Sequence, residues 1–230
     1  MTDALVFDQV RIVLAGLALI ALDRKISPGE VLTVMGPSGI GKSTLLAYAA
    51  GFLDPAFSAQ GRVLSGPLDL TRLPPHRRRL GLLFQDPLLF PHMSVGENIA
   101  FALPADLRGR ERRREAVAKA LADVELAGFE ARDPTTLSGG QKARVALMRV
   151  LESRPRALLL DEPFSRLDAA LRDQIRRLVF DKARARGLPV LLVTHDRTDA
   201  EAAAGPVLDF GSPSATDQPT ASAASDCSSP

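Results

Sequence analysis

The chain has 230 residues, of which 46% are hydrophobic and 24% charged, a composition that suits one large globular domain or one domain with an insert. A formal net charge of +2 is too small to argue for nucleic acid. The single cysteine, Cys227, excludes an internal disulfide framework and a cysteine-built metal cluster, and fits a reducing compartment.

At the N-terminus, Asp3 and Asp8 flank the first apolar residues, so no signal-peptide layout is expected. The apolar run Ile12–Leu22 (IVLAGLALIAL) is about half the roughly 20 residues a bilayer helix requires. Its β-branched start and central Gly16 predict two buried strands joined by a turn. The chain is therefore expected to be soluble, with any work at a membrane done through a partner.

Next comes VLTVM (31–35), a continuous apolar run of the kind found in parallel strands covered on both faces. It leads into GPSGIGKST (36–44) and then LLAYAAG. Gly36, Gly41, Lys42 and Ser43 satisfy the GxxxxGK[ST] phosphate-loop pattern in its strand–loop–helix context. Glycines let the loop curl so that its N–H groups approach phosphate oxygens, and the following helix turns its positive end toward the same anion. Lys42 is placed to reach the β- and γ-phosphates and Ser43 to hold Mg²⁺.

LGLLFQ (80–85) is a second strand of this kind, ending at Gln85. No strand is expected over 86–155. RGRERRREAVAKALADVEL predicts a helix with Val117, Leu121 and Val124 on one face, and GGQKARVALMRVLES another with Val145, Met148 and Leu151 at helical spacing. The segment reads as a helical subdomain inserted into the core. Its arginines, Arg108 to Arg114, could form a nucleic-acid patch but read better as a solvated face, since no aromatic side chain interleaves them.

ALLLDE (157–162) places Asp161 and Glu162 at a strand's C-terminal end, where open α/β sheets bind ligands. Asp161 is suited to the Mg²⁺ shell and Glu162 to polarising an attacking water. PVLLVTH (189–195) ends in His195, which could hydrogen-bond the γ-phosphate. The phosphate loop, Gln85, Asp161–Glu162 and His195 thus converge on one crevice of a doubly wound α/β core, the pattern of a phosphohydrolase. Residues 212–230 are small, polar and Pro-containing and are expected to form a disordered tail, so that the folded part covers 1–211.

GPSGIGKST, Gln85, LSGGQ (137–141), LLLDEP, SRLD (165–168) and His195 resemble, in order and spacing, the ATP-binding-cassette (ABC) ATPases, over roughly residues 3–211. LFPHMSVGENI (89–99) is similar to the segment after the glutamine loop in bacterial importers. The whole is similar to the ATPase subunits of Ynj-type importers and of those for thiamine, ferric iron, sulfate and polyamines.

The resemblance implies an α/β P-loop NTPase. Its RecA-like, mostly parallel core would carry an N-terminal antiparallel β subdomain and the α-helical insert at about 86–155. It implies ATP and Mg²⁺ as cofactors and a cassette at the cytoplasmic face of the inner membrane. That cassette would pair with a second copy through the ATP sites, with two transmembrane permease subunits and, in the wider system, with an extracytoplasmic solute-binding protein. No nucleic acid is expected.

By residue, it implies that Gly36, Pro37, Ser38, Gly39, Ile40, Gly41, Lys42, Ser43 and Thr44 wrap the triphosphate. Gln85 senses Mg²⁺ and links to the permease, Asp161 supports Mg²⁺, Glu162 is the general base and His195 the γ-phosphate switch. Ser138, Gly139, Gly140 and Gln141 serve the other subunit's γ-phosphate, and Asp168 lies in the loop that crosses the dimer interface.

Three departures stand out. The interface loop carries Arg166 where the family usually has alanine, so its contacts are expected to differ. Val13 stands where an aromatic residue often stacks on the base, which weakens the expected preference for ATP over GTP. The extra C-terminal domain of some importer ATPases is not expected. A soluble ABC-type factor acting on ribosomes or DNA, and a nucleotide-binding regulator without turnover, are the rival readings. The transported solute is not written in these motifs.

Overall fold

The computed structural model describes residues 3–37 and 39–210; Ser38 and the tail expected over 212–230 lie outside the described residues. Near the N-terminus the chain forms two long strands, β1 (Leu5–Leu14) and β2 (Leu17–Ile26). They are joined through Ala15 and Gly16, both at positive φ (48° and 84°), with Leu14 paired to Leu17. Two positive-φ residues between paired strands make the tight turn whose twist matches a hairpin. The expectation of two buried strands needs adjustment. Leu5, Phe7 and Ile12 are fully buried, but Leu17 is 73% exposed, because only one face of this hairpin is covered. With β4 (Phe57–Ser65) and β5 (Leu68–Asp69) the pair forms an antiparallel sheet of order β2-β1-β4-β5.

The second sheet is parallel throughout, of order β6-β7-β8-β3-β9. Its strands are β3 (Val31–Met35), β6 (Leu80–Leu83), β7 (Ala157–Asp161), β8 (Val190–Val193) and β9 (Val207–Asp209). The central runs are continuous because both faces are covered. Leu158, Leu160, Val190 and Leu192 enter one core, while Leu159, Leu191, Val193, Leu32 and Val34 enter the other. Successive residues of a strand point to opposite faces, so unbroken apolar sequence is what two cores demand.

One core packs the parallel sheet with the antiparallel sheet and α1 (Lys42–Ala50). The other packs it with α3 (Val95–Ala102), α4 (Arg110–Ala122), α5 (Gly139–Glu152) and α6 (Ala169–Ala185). Two short helices, α2 (Pro75–Arg78) and α7 (Arg197–Ala203), precede β6 and β9.

Between β6 and β7 the described chain has helices and turns and no strand. Val117, Leu121 and Val124 of the α4 region are buried, as are Val145, Met148 and Leu151 of α5, each set on one helical face. Arg108, Arg110, Arg112 and Arg114 are exposed. Arg113 turns inward, donating to the Ala100 carbonyl at 2.6 Å and tying α4 to α3. A parallel sheet presents all its strand C-termini at one edge, and this edge carries the chemistry-bearing residues.

Candidate functional site

The loop after β3 curls through glycines at positive φ: Gly36 at 151°, Gly39 at 86° and Gly41 at 98°. A side chain at Gly41 would also meet the Leu19 side chain at 3.3 Å. Gly41 caps α1, so the helix's free N–H groups open into the loop. Lys42, only 5% exposed, folds back over that loop, its Nζ donating to the carbonyls of Gly36 at 2.7 Å and Pro37 at 2.9 Å. An ammonium held by neutral carbonyls is readily passed to phosphate oxygens, where its hydrogen bonds become charge-assisted on both sides.

Beside it, the Ser43 hydroxyl donates to Asp161 Oδ1 at 3.0 Å, joining the loop to the end of β7 across 118 residues of sequence. Burial pushes the Asp161 carboxyl above the usual range, and the neighbouring charge of Glu162 adds to the rise. The Ser43 hydrogen bond and Lys42 oppose it.

Glu162 follows with its backbone in the left-handed region (φ 46°), uncommon for a residue with a side chain. Its N–H donates to the Val193 carbonyl at 2.9 Å, and a turn secured by the Ser165 hydroxyl on the Glu162 carbonyl (2.9 Å) takes the chain away from the sheet. Strain of this kind persists where the surroundings over-determine it and is concentrated at functional sites. The Glu162 carboxylate lies 3.0 Å from His195 Nδ1, so the ends of β7 and β8 meet through these two side chains.

Gly39, Gly41, Lys42, Ser43, Gln85, Asp161 and Glu162 line one cleft of about 550 Å³. The residues suit a nucleoside triphosphate with Mg²⁺. A serine hydroxyl and a carboxylate stand within 3.0 Å of one another, supplying the hard oxygen donors the ion prefers. The loop's positive-φ glycines keep side chains out of the space a phosphate chain would follow.

Ser138, Gly139, Gly140 and Gln141 do not line this cleft. They form the first turn of α5. Ser138 Oγ accepts from the Gln141 N–H at 3.3 Å while the Gln141 side chain accepts from the Ser138 N–H at 3.0 Å, a reciprocal cap. Gly140 has a packing reason as well, since a Cβ there would lie 2.5 Å from Leu171 Cδ1 of α6. Asp168 caps α6 by accepting from the Leu171 N–H at 3.0 Å.

Several residues that shape the site carry no motif. Arg172 donates to Asp196 at 2.9 Å and to the carbonyls of Ser165 and Leu167, each at 3.3 Å, fastening the loop after Glu162 to the loop after His195. Behind His195, the Thr194 hydroxyl donates to Asp199 at 2.9 Å, and Asp199 pairs with Arg176 at 2.6 Å, almost fully buried. Arg149 donates to the carbonyls of Pro87 and Leu88, fixing the segment after Gln85 to α5. The two arginine–aspartate pairs and the Arg149 contacts join residues 23 to 62 apart, so no local spacing announces them.

A family described as ABC transporter matches residues 19–165. The chain is 51% identical over 177 residues to YnjD of Escherichia coli, described as an uncharacterized ABC transporter ATP-binding protein, covering 77% of this chain and 81% of that protein. It is 46% identical over 179 residues to the thiamine import ATP-binding protein ThiQ of Chelativorans sp., covering 78% and 72% of the two chains. It is 45% identical over 180 residues to the spermidine/putrescine import ATP-binding protein PotA of Marinobacter nauticus, covering 78% of this chain but 48% of PotA. PotA is thus about twice the length of the stretch it shares with this chain.

Proposed function

Because the chain belongs to the ABC transporter ATP-binding family, we propose that it is the ATP-binding and ATP-hydrolysing subunit of a bacterial importer. The observation that carries this reading is the join of Ser43, Asp161, Glu162 and His195 at the C-terminal ends of three neighbouring strands beside the glycine-rich loop.

In this reading the 36–44 loop wraps the triphosphate, and Lys42 exchanges its carbonyl partners for β- and γ-phosphate oxygens. Ser43, Asp161 and Gln85 are the residues that would hold Mg²⁺, which would supply positive charge to offset that of the triphosphate. The γ-phosphate offers His195 a partner in place of Glu162, and Glu162 is then free to accept a proton from the attacking water.

Two copies sandwich two ATP molecules head to tail, each supplying Ser138 to Gln141 to the other's γ-phosphate. This accounts for a capped, glycine-rich helix N-terminus that has no role in its own cleft. ATP binds the closed sandwich more tightly than the open one, and that difference drives closure. Closure pulls on two permease subunits seated near Gln85 and the 89–99 segment, where Leu88 (57%) and Phe101 (65%) stand exposed. The chain works as a peripheral subunit at the cytoplasmic face of the inner membrane; among the described residues no helix is long and apolar enough to cross one. ThiQ and PotA are named for unrelated solutes, thiamine and spermidine/putrescine, which fits selection of cargo by the permease and its binding protein.

Glu162→Gln tests the reading. It should retain ATP binding, accumulate an ATP-bound dimer on gel filtration, and lose phosphate release by about 100-fold or more, the contribution of a positioned general base. Near-normal turnover in that variant overturns the assignment.

A further inference from the structure

Arg166 lies in the loop between β7 and α6, and its guanidinium forms an ion pair with the carboxylate of Asp86, 80 residues earlier and directly after Gln85. The two loops also border one apolar cluster, which includes Phe164 and has Leu89 and Leu167 packed against it. A cavity of about 220 Å³ lies between them, lined by Gln85, Asp86, Gly139, Phe164, Arg166 and Leu167. Across that gap the charged pair is a direct side-chain link from one loop to the other.

Each end of the pair is anchored to a different body. Beyond Asp86, the carbonyls of Pro87 and Leu88 are held by Arg149 of α5, and Phe90 is held by the buried side chain of Asn98 in α3. Asp86 therefore moves with the helical insert. On the other side Phe164 is fully buried, Ser165 is bonded to the Glu162 carbonyl, and Arg172 fixes the carbonyls of Ser165 and Leu167 to the loop that follows His195. Arg166 therefore moves with Glu162 and with the start of α6.

We infer that Arg166 is a positioning residue: through Asp86 it sets the loop carrying Glu162 in register with Gln85 and the helical insert, so that displacement of the permease-facing segment reaches the catalytic carboxylate. This rests on the function proposed above and adds a residue to it. Arg166 and Asp86 are 57% and 49% exposed, so the strap is screened by salt and adds little to overall stability. A link that holds position at small energetic cost is easily broken and remade during a cycle.

The test uses the full chain with MgATP and four variants: Arg166→Ala, Asp86→Ala, the double alanine variant, and the exchange Arg166→Asp with Asp86→Arg. Each single variant should lower kcat by about 3- to 10-fold with KM for ATP within about 2-fold and the melting temperature nearly unchanged, as for a misplaced catalytic group in an intact fold. The double alanine variant should be no worse than either single one, and the exchange should recover at least half of the lost kcat. Losses that multiply in the double variant, or an exchange as poor as the worst single variant, overturn the inference.

Hydrogen exchange of residues 84–88 and 163–168, measured without nucleotide, separates this from the wider reading. In Arg166→Ala and in Asp86→Ala both segments should exchange faster together. Acceleration confined to the mutated loop overturns the strap. Coupled acceleration in a chain that hydrolyses no ATP would leave the strap standing and remove the proposed ATPase.

Discussion

In the proposed reading, the Lys42 side chain serves two states. Its ammonium is nearly buried, and two loop carbonyls receive it, so no uncompensated charge is left inside. Lys42→Ala removes both the loop's fastening and the cation meant for the phosphates. The affinity for a fluorescent ATP analogue should fall by at least about 10-fold, the value of one lost charge-assisted hydrogen bond, and unchanged affinity would contradict the phosphate-loop reading. Lys42, Ser43, Asp161, Glu162 and His195 are all legible in sequence because each sits in a short motif or at the end of an apolar run. Arg172, Arg176 and Asp199 are not. An arginine on an amphipathic helix reads as solvated until the fold brings a carboxylate to it, and here Arg176 and Asp199 end almost fully buried together.

At the level of elements, apolar runs identify the parallel strands well, because burial on both faces removes any alternation. They identify the hairpin less well. In β1 and β2 the outward residues include Leu14 and Leu17, so composition suggests full burial where register gives only half. Register is set by pairing partners and by shifts against β2 between Phe7 and Val10 and between Ile12 and Val13, and against β4 between Asp8 and Arg11. The end of α7 offers an element-scale test. A Cβ at Gly205 would lie 2.0 Å from the Val31 carbonyl oxygen, at the start of the strand that carries the phosphate loop. Backbone cannot turn aside as a side chain can. Gly205→Ala should therefore cost about 1–3 kcal/mol in chemical denaturation, with a midpoint equal to wild type counting against this close approach.

For the whole molecule, the question is whether one chain holds a complete site. The cleft contains the phosphate loop, Gln85, Asp161 and Glu162, and the Ser138–Gln141 turn stands apart from it. The head-to-tail reading predicts complementation. A Ser138→Arg chain and a Glu162→Gln chain should each be inactive alone. Mixed, they should recover phosphate release up to roughly a quarter of wild type, since half of the dimers would be mixed and each would hold one intact site. If Ser138 served its own chain's ATP, every site in the mixture would carry damage and no activity would return.

Sequence by itself determined the class of fold and the chemistry of the cleft. A phosphate loop, a strand ending in two carboxylates and a strand ending in histidine are local patterns, each imposed by backbone geometry or charge over a few neighbouring residues. Tertiary structure decided which distant residues hold those groups in place: Arg172 on the His195 loop, Arg149 on the segment after Gln85, and Arg166 on Asp86. The reason is physical. An ion pair or a carbonyl contact needs only proximity in space, and proximity between residues dozens of positions apart is created by the order β6-β7-β8-β3-β9, which no short stretch of sequence encodes.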